Sequence, residues 1–215
     1  MASCCSRQGY DEVFTDRLAR RDAQRYRRKG LDGTARRLVG FLARRRIEGG
    51  TVLDVGGGVG AIGLELLKAG ADRAVTIELS HGYDEDAASL AREAGVEDRV
   101  ERRTLDFADP TAELPAAEVV VMHRVVCCYP DYEALLTAAS TRAGRLLVFS
   151  FPRSSWWTRA GNGIANLLVR FRSSAFKSYV HPPEALISTV ERHGFRLTAE
   201  HQGLLWRIAG FERAA

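Results

Sequence analysis

The sequence predicts an α/β fold: a seven-stranded, mostly parallel sheet with helices on both faces. Three observations predict it. Apolar strand-like runs alternate with helical patterns along most of the chain. One of those strands runs straight into a glycine turn, Val52-Leu53-Asp54-Val55-Gly56-Gly57-Gly58-Val59-Gly60. The last two strand-like runs, 195–201 and 204–212, are separated only by Gln202-Gly203. That link is too short for a crossover helix, so these two strands must be antiparallel.

In chain order, residues 11–29 and 32–46 read as two helices broken at Gly30-Leu31-Asp32-Gly33. Residues 1–50 carry 13 Lys/Arg against 6 Asp/Glu, a local +7, so the remainder holds −3 of the net +4. Leu18, Leu31, Leu38, Val39, Phe41 and Leu42 give this basic pair an apolar side to dock. The expected organisation is an N-terminal helical arm or lid over 1–47 and a core over 48–215. Strand 51–55, helix 61–69, strand 74–78, helix 84–94, strand 100–105, strand 118–123, helix 132–142 and strand 145–150 follow in alternation. Residues 151–180 interrupt the pattern as an insertion. It holds Trp156 and Trp157, then Ile164, Leu167, Leu168 and Phe171 at helical spacing. His181-Pro182-Pro183-Glu184 starts the last helix, because proline is pre-organised for a first turn, and His193-Gly194 ends it.

No apolar run reaches about 18 residues, so no membrane span is expected. Met1-Ala2-Ser3-Cys4-Cys5 lacks the charged-then-apolar order of a secretory signal, and a cytoplasmic protein is expected. The glycine turn lets the backbone approach a nucleotide-like ligand closely, because glycine has no Cβ. Glu78, at the end of the second strand, is placed to accept two ribose hydroxyls. Gly58 to Gly63 also fits a dinucleotide fingerprint, as does Gly56 to Ala61. Three features oppose that reading. Asp54, two residues before the first glycine, can reach an amino-acid ammonium. Asp106-Phe107 can bracket an adenine. The C-terminal strand pair leaves no stretch expected to form a separate dehydrogenase domain.

Together these residues resemble the class I S-adenosylmethionine (SAM) methyltransferases, whose D-x-G-x-G-x-G motif is matched at Asp54, Gly56, Gly58 and Gly60, with Gly57 inside the turn. The resemblance covers roughly 48–215 and implies the Rossmann-like methyltransferase sheet, with SAM as cofactor. It implies that Glu78, followed by Leu79, holds the ribose. Asp106 would hold the adenine amine beside Phe107, and Met122-His123 would lie beside the methionine part. Tyr26 can close over that end. A narrower resemblance, to bacterial proteins similar to magnesium-protoporphyrin O-methyltransferase, rests on His123-Arg124-Val125-Val126-Cys127-Cys128-Tyr129-Pro130-Asp131, the insertion, and Tyr179-Val180-His181. Cys128 stands where the porphyrin enzymes carry histidine, so their substrate does not carry over.

Methyl transfer from a sulfonium needs alignment and exclusion of water, and a base only if the acceptor arrives protonated. His123, His181, Cys128 and Tyr129 are the candidate catalytic residues. For the two histidines the alternatives are a backbone or cofactor hydrogen bond and a helix cap. Arg124, Cys127, Cys128, Trp156, Trp157, Tyr179 and His181 are the candidate acceptor contacts; the tryptophans can equally anchor the insertion. Cys4-Cys5 and Cys127-Cys128 lack C-x-x-C spacing, so packed thiols are expected and no metal, with a soft-metal or disulfide cluster as the other reading. The expected function is SAM-dependent methylation of a small hydrophobic or aromatic acceptor at oxygen, nitrogen or carbon, by a monomer or homodimer. Nucleic acid is not the expected partner. The alternatives are RNA methylation steered by the basic arm and a non-catalytic thiol or metal protein on the same scaffold.

Overall fold

A computed structural model describes residues 10–171 and 176–214, apart from the side chains of Trp157 and 168–171. Seven strands form one sheet: β1 (Thr51–Val55), β2 (Arg73–Glu78), β3 (Val100–Thr104), β4 (Ala117–Met122), β5 (Ala143–Pro152), β6 (Phe195–Gln202) and β7 (Trp206–Arg213), in the order β3-β2-β1-β4-β5-β7-β6. The first five are mutually parallel. β7 runs antiparallel to both of its neighbours; residues 203–205 join it to β6, one residue more than the expected Gln202-Gly203 link and still too short for a crossover helix.

The central strands are apolar on both faces, with a period of two. Leu53, Val120, Met122, Leu147 and Phe149 face one side, against α6 (Tyr132–Arg142) and α8 (Pro183–Arg192), which contribute Leu135, Leu136, Leu186 and Val190. Val52, Val119, Val121, Leu146 and Val148 face the other, against α3 (Gly33–Ala43) and α4 (Ala61–Lys68). Leu38, Phe41 and Leu42 of α3 are buried there, each contributing about 1.5–3 kcal/mol of burial. The α3 part of the docking face read in the basic segment therefore belongs to the sheet core, while Leu18 packs in a separate cluster.

The first expected helix is two: α1 (Tyr10–Val13) and α2 (Asp16–Lys29). Thr15 turns extended between them (φ −90°, ψ 162°) to start α2, and the Phe14 carbonyl accepts from Ser80 Oγ at 3.0 Å. That bond ties the break to the end of β2. Ala19 and Ala23 of α2 pack on Leu64, Tyr83 and on Leu90 of α5 (Asp84–Glu93). α7 (Trp156–Phe171) fills the insertion.

Candidate active site

From β1 the chain crosses to β2 on one side, while β4 flanks β1 on the other. Such a switch point opens a crevice at the carboxyl ends of the strands. A cavity of about 360 Å³ lies there, floored by Val55, the glycine turn and Ile77 and roofed by Leu18, Asp22 and Tyr26 of α2.

The floor is bare backbone for a steric reason. Gly56 has φ 63°, and a Cβ there would sit 2.4 Å from Val125 Cγ2. A Cβ on Gly57 would meet Asp54 Oδ2 at 2.7 Å and Thr76 Cγ2 at 2.8 Å. Asp54 is fully buried behind the turn and accepts from Gly63 N at 3.1 Å, which ties the loop to the first turn of α4. Only its Oδ1, buried with no partner, is left for the expected reach to an ammonium group. Burial pushes the Asp54 carboxyl up to about 7, with the nearby Glu78 charge adding to the effect. An unfolded aspartate titrates near 3.9. Between those values the folded chain holds a proton that the unfolded chain has released, so stability falls as pH rises from about 4 to about 7. Thermal melts of Asp54→Asn should lack this decline, which is at most about 1.4 kcal/mol per pH unit in the parent chain. Parallel pH profiles for the two proteins would show that Asp54 is not its source.

At the end of β2, Glu78 Oε1 accepts from Gly58 N at 2.9 Å and Oε2 from Leu79 N at 3.1 Å. Burial raises the Glu78 carboxyl above the usual range. Beyond β3, Asp106 and Phe107 line the cavity. The Tyr129 hydroxyl donates to Asp106 Oδ1 at 2.9 Å and reaches Oδ2 at 3.1 Å. The hydroxyl of Tyr129, a candidate catalytic group, is thus engaged by the Asp106 carboxylate.

Beyond β4 the chain takes a left-handed step at Arg124 (φ 62°). His123 Nδ1 lies 3.0 Å from Ser150 Oγ and Nε2 lies 3.4 Å from Asp32 Oδ2. Both ring nitrogens are engaged, so His123, the first candidate base, presents no free nitrogen. Asp32 caps α3 by accepting from Thr34 N and Ala35 N. It also accepts from Arg124 Nη2 at 2.9 Å. The His123 contact leads, against burial, in holding the Asp32 carboxyl well below its usual range. Asp32, Ser150, Asp22 and Tyr83 escaped the sequence reading. Asp32 carried a cap signal, just before α3, but nothing in sequence ties it to His123. Asp22 lines the cavity, has no hydrogen bond among the described residues, and is raised by burial against Arg21, Arg25 and Arg124.

Tyr26 is at the cavity wall, its hydroxyl donating to Glu65 Oε1 at 2.6 Å. Cys128 is also at the wall. Its sulfur lies 3.7 Å from that of the buried Cys127. Its thiol is pushed up by that contact first and by burial second. Cys4 and Cys5 lie outside the described residues, so the four-sulfur cluster does too. Among the described residues no three His, Cys, Asp or Glu side chains gather as a metal site.

Four further candidates sit elsewhere. Met122 is wholly buried in the core. His181 Nε2 lies 3.1 Å from the Tyr129 carbonyl oxygen, and its ring packs on Tyr132 and Tyr179. Tyr179 N donates to the Cys127 carbonyl at 2.6 Å. His181 and Tyr179 thus brace the loop after β4 from behind, outside the cavity lining. Trp156 is 82% exposed and is not brought to the cavity with the other candidates; the Trp157 side chain lies outside the described residues.

A family model described as a methyltransferase domain matches residues 23–200. No curated protein matches the chain. Among solved structures, magnesium protoporphyrin IX methyltransferase from Synechocystis PCC 6803 with bound SAH is similar at 20% identity and a TM-score of 0.72, over 95% of this chain and 100% of that one. An O-methyltransferase family protein from Burkholderia thailandensis is similar at 15% identity and 0.73, over 93% of this chain and 59% of that one. An O-methyltransferase family 2 protein from Planctomyces limnophilus, in complex with apigenin, is similar at 18% identity and 0.61, over 86% and 63%.

Proposed function

Because this chain belongs to the methyltransferase domain family, we propose that it transfers the methyl group of SAM to a small hydrophobic or aromatic acceptor, at oxygen, nitrogen or carbon. The observation that carries this reading is the convergence of a side-chain-free glycine turn, Glu78 and Asp106 on one cavity. These residues fit the cofactor. The glycine cradle leaves room a Cβ would fill, and Asp54 Oδ1 is an orphaned acceptor beneath it. SAM supplies an activated methyl on a sulfonium. Glu78 would accept the ribose hydroxyls, Asp106 the adenine amine, and Phe107 would close the adenine side. α2 and the glycine turn exclude water and align the acceptor, which is the main need of an in-line displacement.

Tyr10, Phe14, Leu18, Tyr83 and Cys128 give the remaining wall an apolar, aromatic character, which supports the acceptor class. An acceptor that arrives protonated needs a base. Asp22 has the carboxylate to serve, since it faces the cavity without a hydrogen bond among the described residues, whereas His123 is tied at both nitrogens. Two of the bases of the basic segment, Arg27 and Arg45, are ion-paired with Glu93 and Glu212 and are taken up within the fold.

The test is calorimetric titration with S-adenosylhomocysteine, followed by transfer of radiolabelled methyl from SAM to a panel of hydroxylated and aminated aromatics. Micromolar binding and label in at least one aromatic are expected. Absence of cofactor binding would sink the enzyme reading; binding with label only in RNA would sink the acceptor class.

A further inference from the structure

α7 is amphipathic, and it is turned inside out. Its polar face points into the protein: Asn162 Nδ2 and Asn166 Nδ2 donate to the Ser178 carbonyl at 2.9 and 2.8 Å, and Ser178 N donates to Asn166 Oδ1 at 2.8 Å. Its apolar face points out. Trp156, Ile164 (62% exposed) and Leu167 share that face with Ala160 and Gly163. A helix at the surface of a water-soluble domain normally does the opposite.

The patch extends beyond the helix. Leu204 (76% exposed) and Leu205 project from the turn between β6 and β7. The Leu205 carbonyl accepts from Arg153 N at 2.9 Å, three residues before Trp156. The turn and the start of α7 are therefore adjacent. Contiguous exposed apolar surface of this kind marks an interaction site.

Along this stretch of the chain the charge has one sign. No Asp or Glu occurs between Glu133 and Glu184, while 153–182 contains Arg153, Arg159, Arg170, Arg172 and Lys177. Arg153, Arg159 and Lys177 are exposed. Tryptophan and aliphatic residues on one face of a helix, in a stretch of chain that carries bases and no acids, match the chemistry of a helix lying in the interface of an anionic bilayer. No described helix is long and apolar enough to cross a membrane, and α7 has 16 residues, so it suits lying in the interface rather than spanning.

We propose that the outward apolar face of α7, continued by Leu204-Leu205, docks this protein on an anionic lipid surface.

Co-sedimentation of the whole chain with vesicles tests this. Vesicles of equal parts phosphatidylcholine and phosphatidylglycerol should retain the protein, and phosphatidylcholine alone should retain at least about tenfold less. Raised salt should weaken the binding. Trp156→Glu/Ile164→Glu, and separately Arg153→Glu/Arg159→Glu, should each lower retention at least about tenfold with unchanged melting temperature. These residues are exposed, so both variants should fold, and the melt verifies it independently of any cofactor. Retention of the apolar variant at the parent level would overturn the proposal, as would no retention of the parent. A dimer in sedimentation velocity that Trp156→Glu/Ile164→Glu converts to monomer would overturn it in favour of self-association.

Discussion

Glu78→Ala is expected to weaken S-adenosylhomocysteine binding by about a hundredfold or more. Its carboxylate has two tasks. One holds the glycine turn, through Gly58 N and Leu79 N. The other, in the proposed function, is to accept the ribose hydroxyls. A hydrogen bond to a charged group contributes about 1.5–3 kcal/mol, and each 1.4 kcal/mol is tenfold in affinity. Two ribose bonds therefore account for the expected loss before any loosening of the loop is counted. Glu78→Gln preserves shape and one acceptor oxygen, so it should fall between the parent and the alanine variant. Calorimetric titration decides the matter. Unchanged affinity in Glu78→Ala, with a normal melt, would remove Glu78 from the cofactor site.

Gly57→Ala should damage both stability and cofactor binding. The new methyl would be driven against the buried Asp54 carboxylate and the Thr76 methyl. Neither neighbour can swing aside: Asp54 is fully buried and Thr76 is β-branched and buried in β2. Overpacking of this kind costs about 1–3 kcal/mol, and each kcal/mol lowers the melting temperature by about 2–4 °C in a chain of this size. Any relief would come from lifting the turn into the cavity, which would weaken S-adenosylhomocysteine as well. Gly161→Ala in α7 is the matched control. A Cβ there meets nothing within 4 Å, and alanine is the better helix former by about 1 kcal/mol. A Gly57→Ala protein that melts and binds like the control would show that the turn tolerates a side chain.

Much of the fold was legible because its signals are local. The alternating apolar runs, the proline start of α8 and the short link before β7 each lie within a few contiguous residues. The glycine-turn side of the cavity was legible for the same reason: Gly56, Gly57, Gly58, Glu78, Asp106 and Phe107, which line it, sit at strand ends and in the first turn. The break at Phe14-Thr15 was not legible. Its cause lies at Ser80, 66 residues on, and nothing in the helical pattern of the segment announces it.

The sequence by itself determined the sheet, the turn and the carboxylates that face it, because periodicity and turn chemistry act between near neighbours in the chain. Tertiary structure alone decided which polar groups meet. It brought Asp32 to His123 and Arg124 across 91 and 92 residues, and gave the Tyr129 hydroxyl to Asp106. It left Asp22 facing the cavity and turned Trp156 to solvent. Helical spacing shows that α7 has two faces. Only the positions of Ser178 and the β6–β7 turn settle which of them looks outward, because that choice depends on partners that the pattern does not contain.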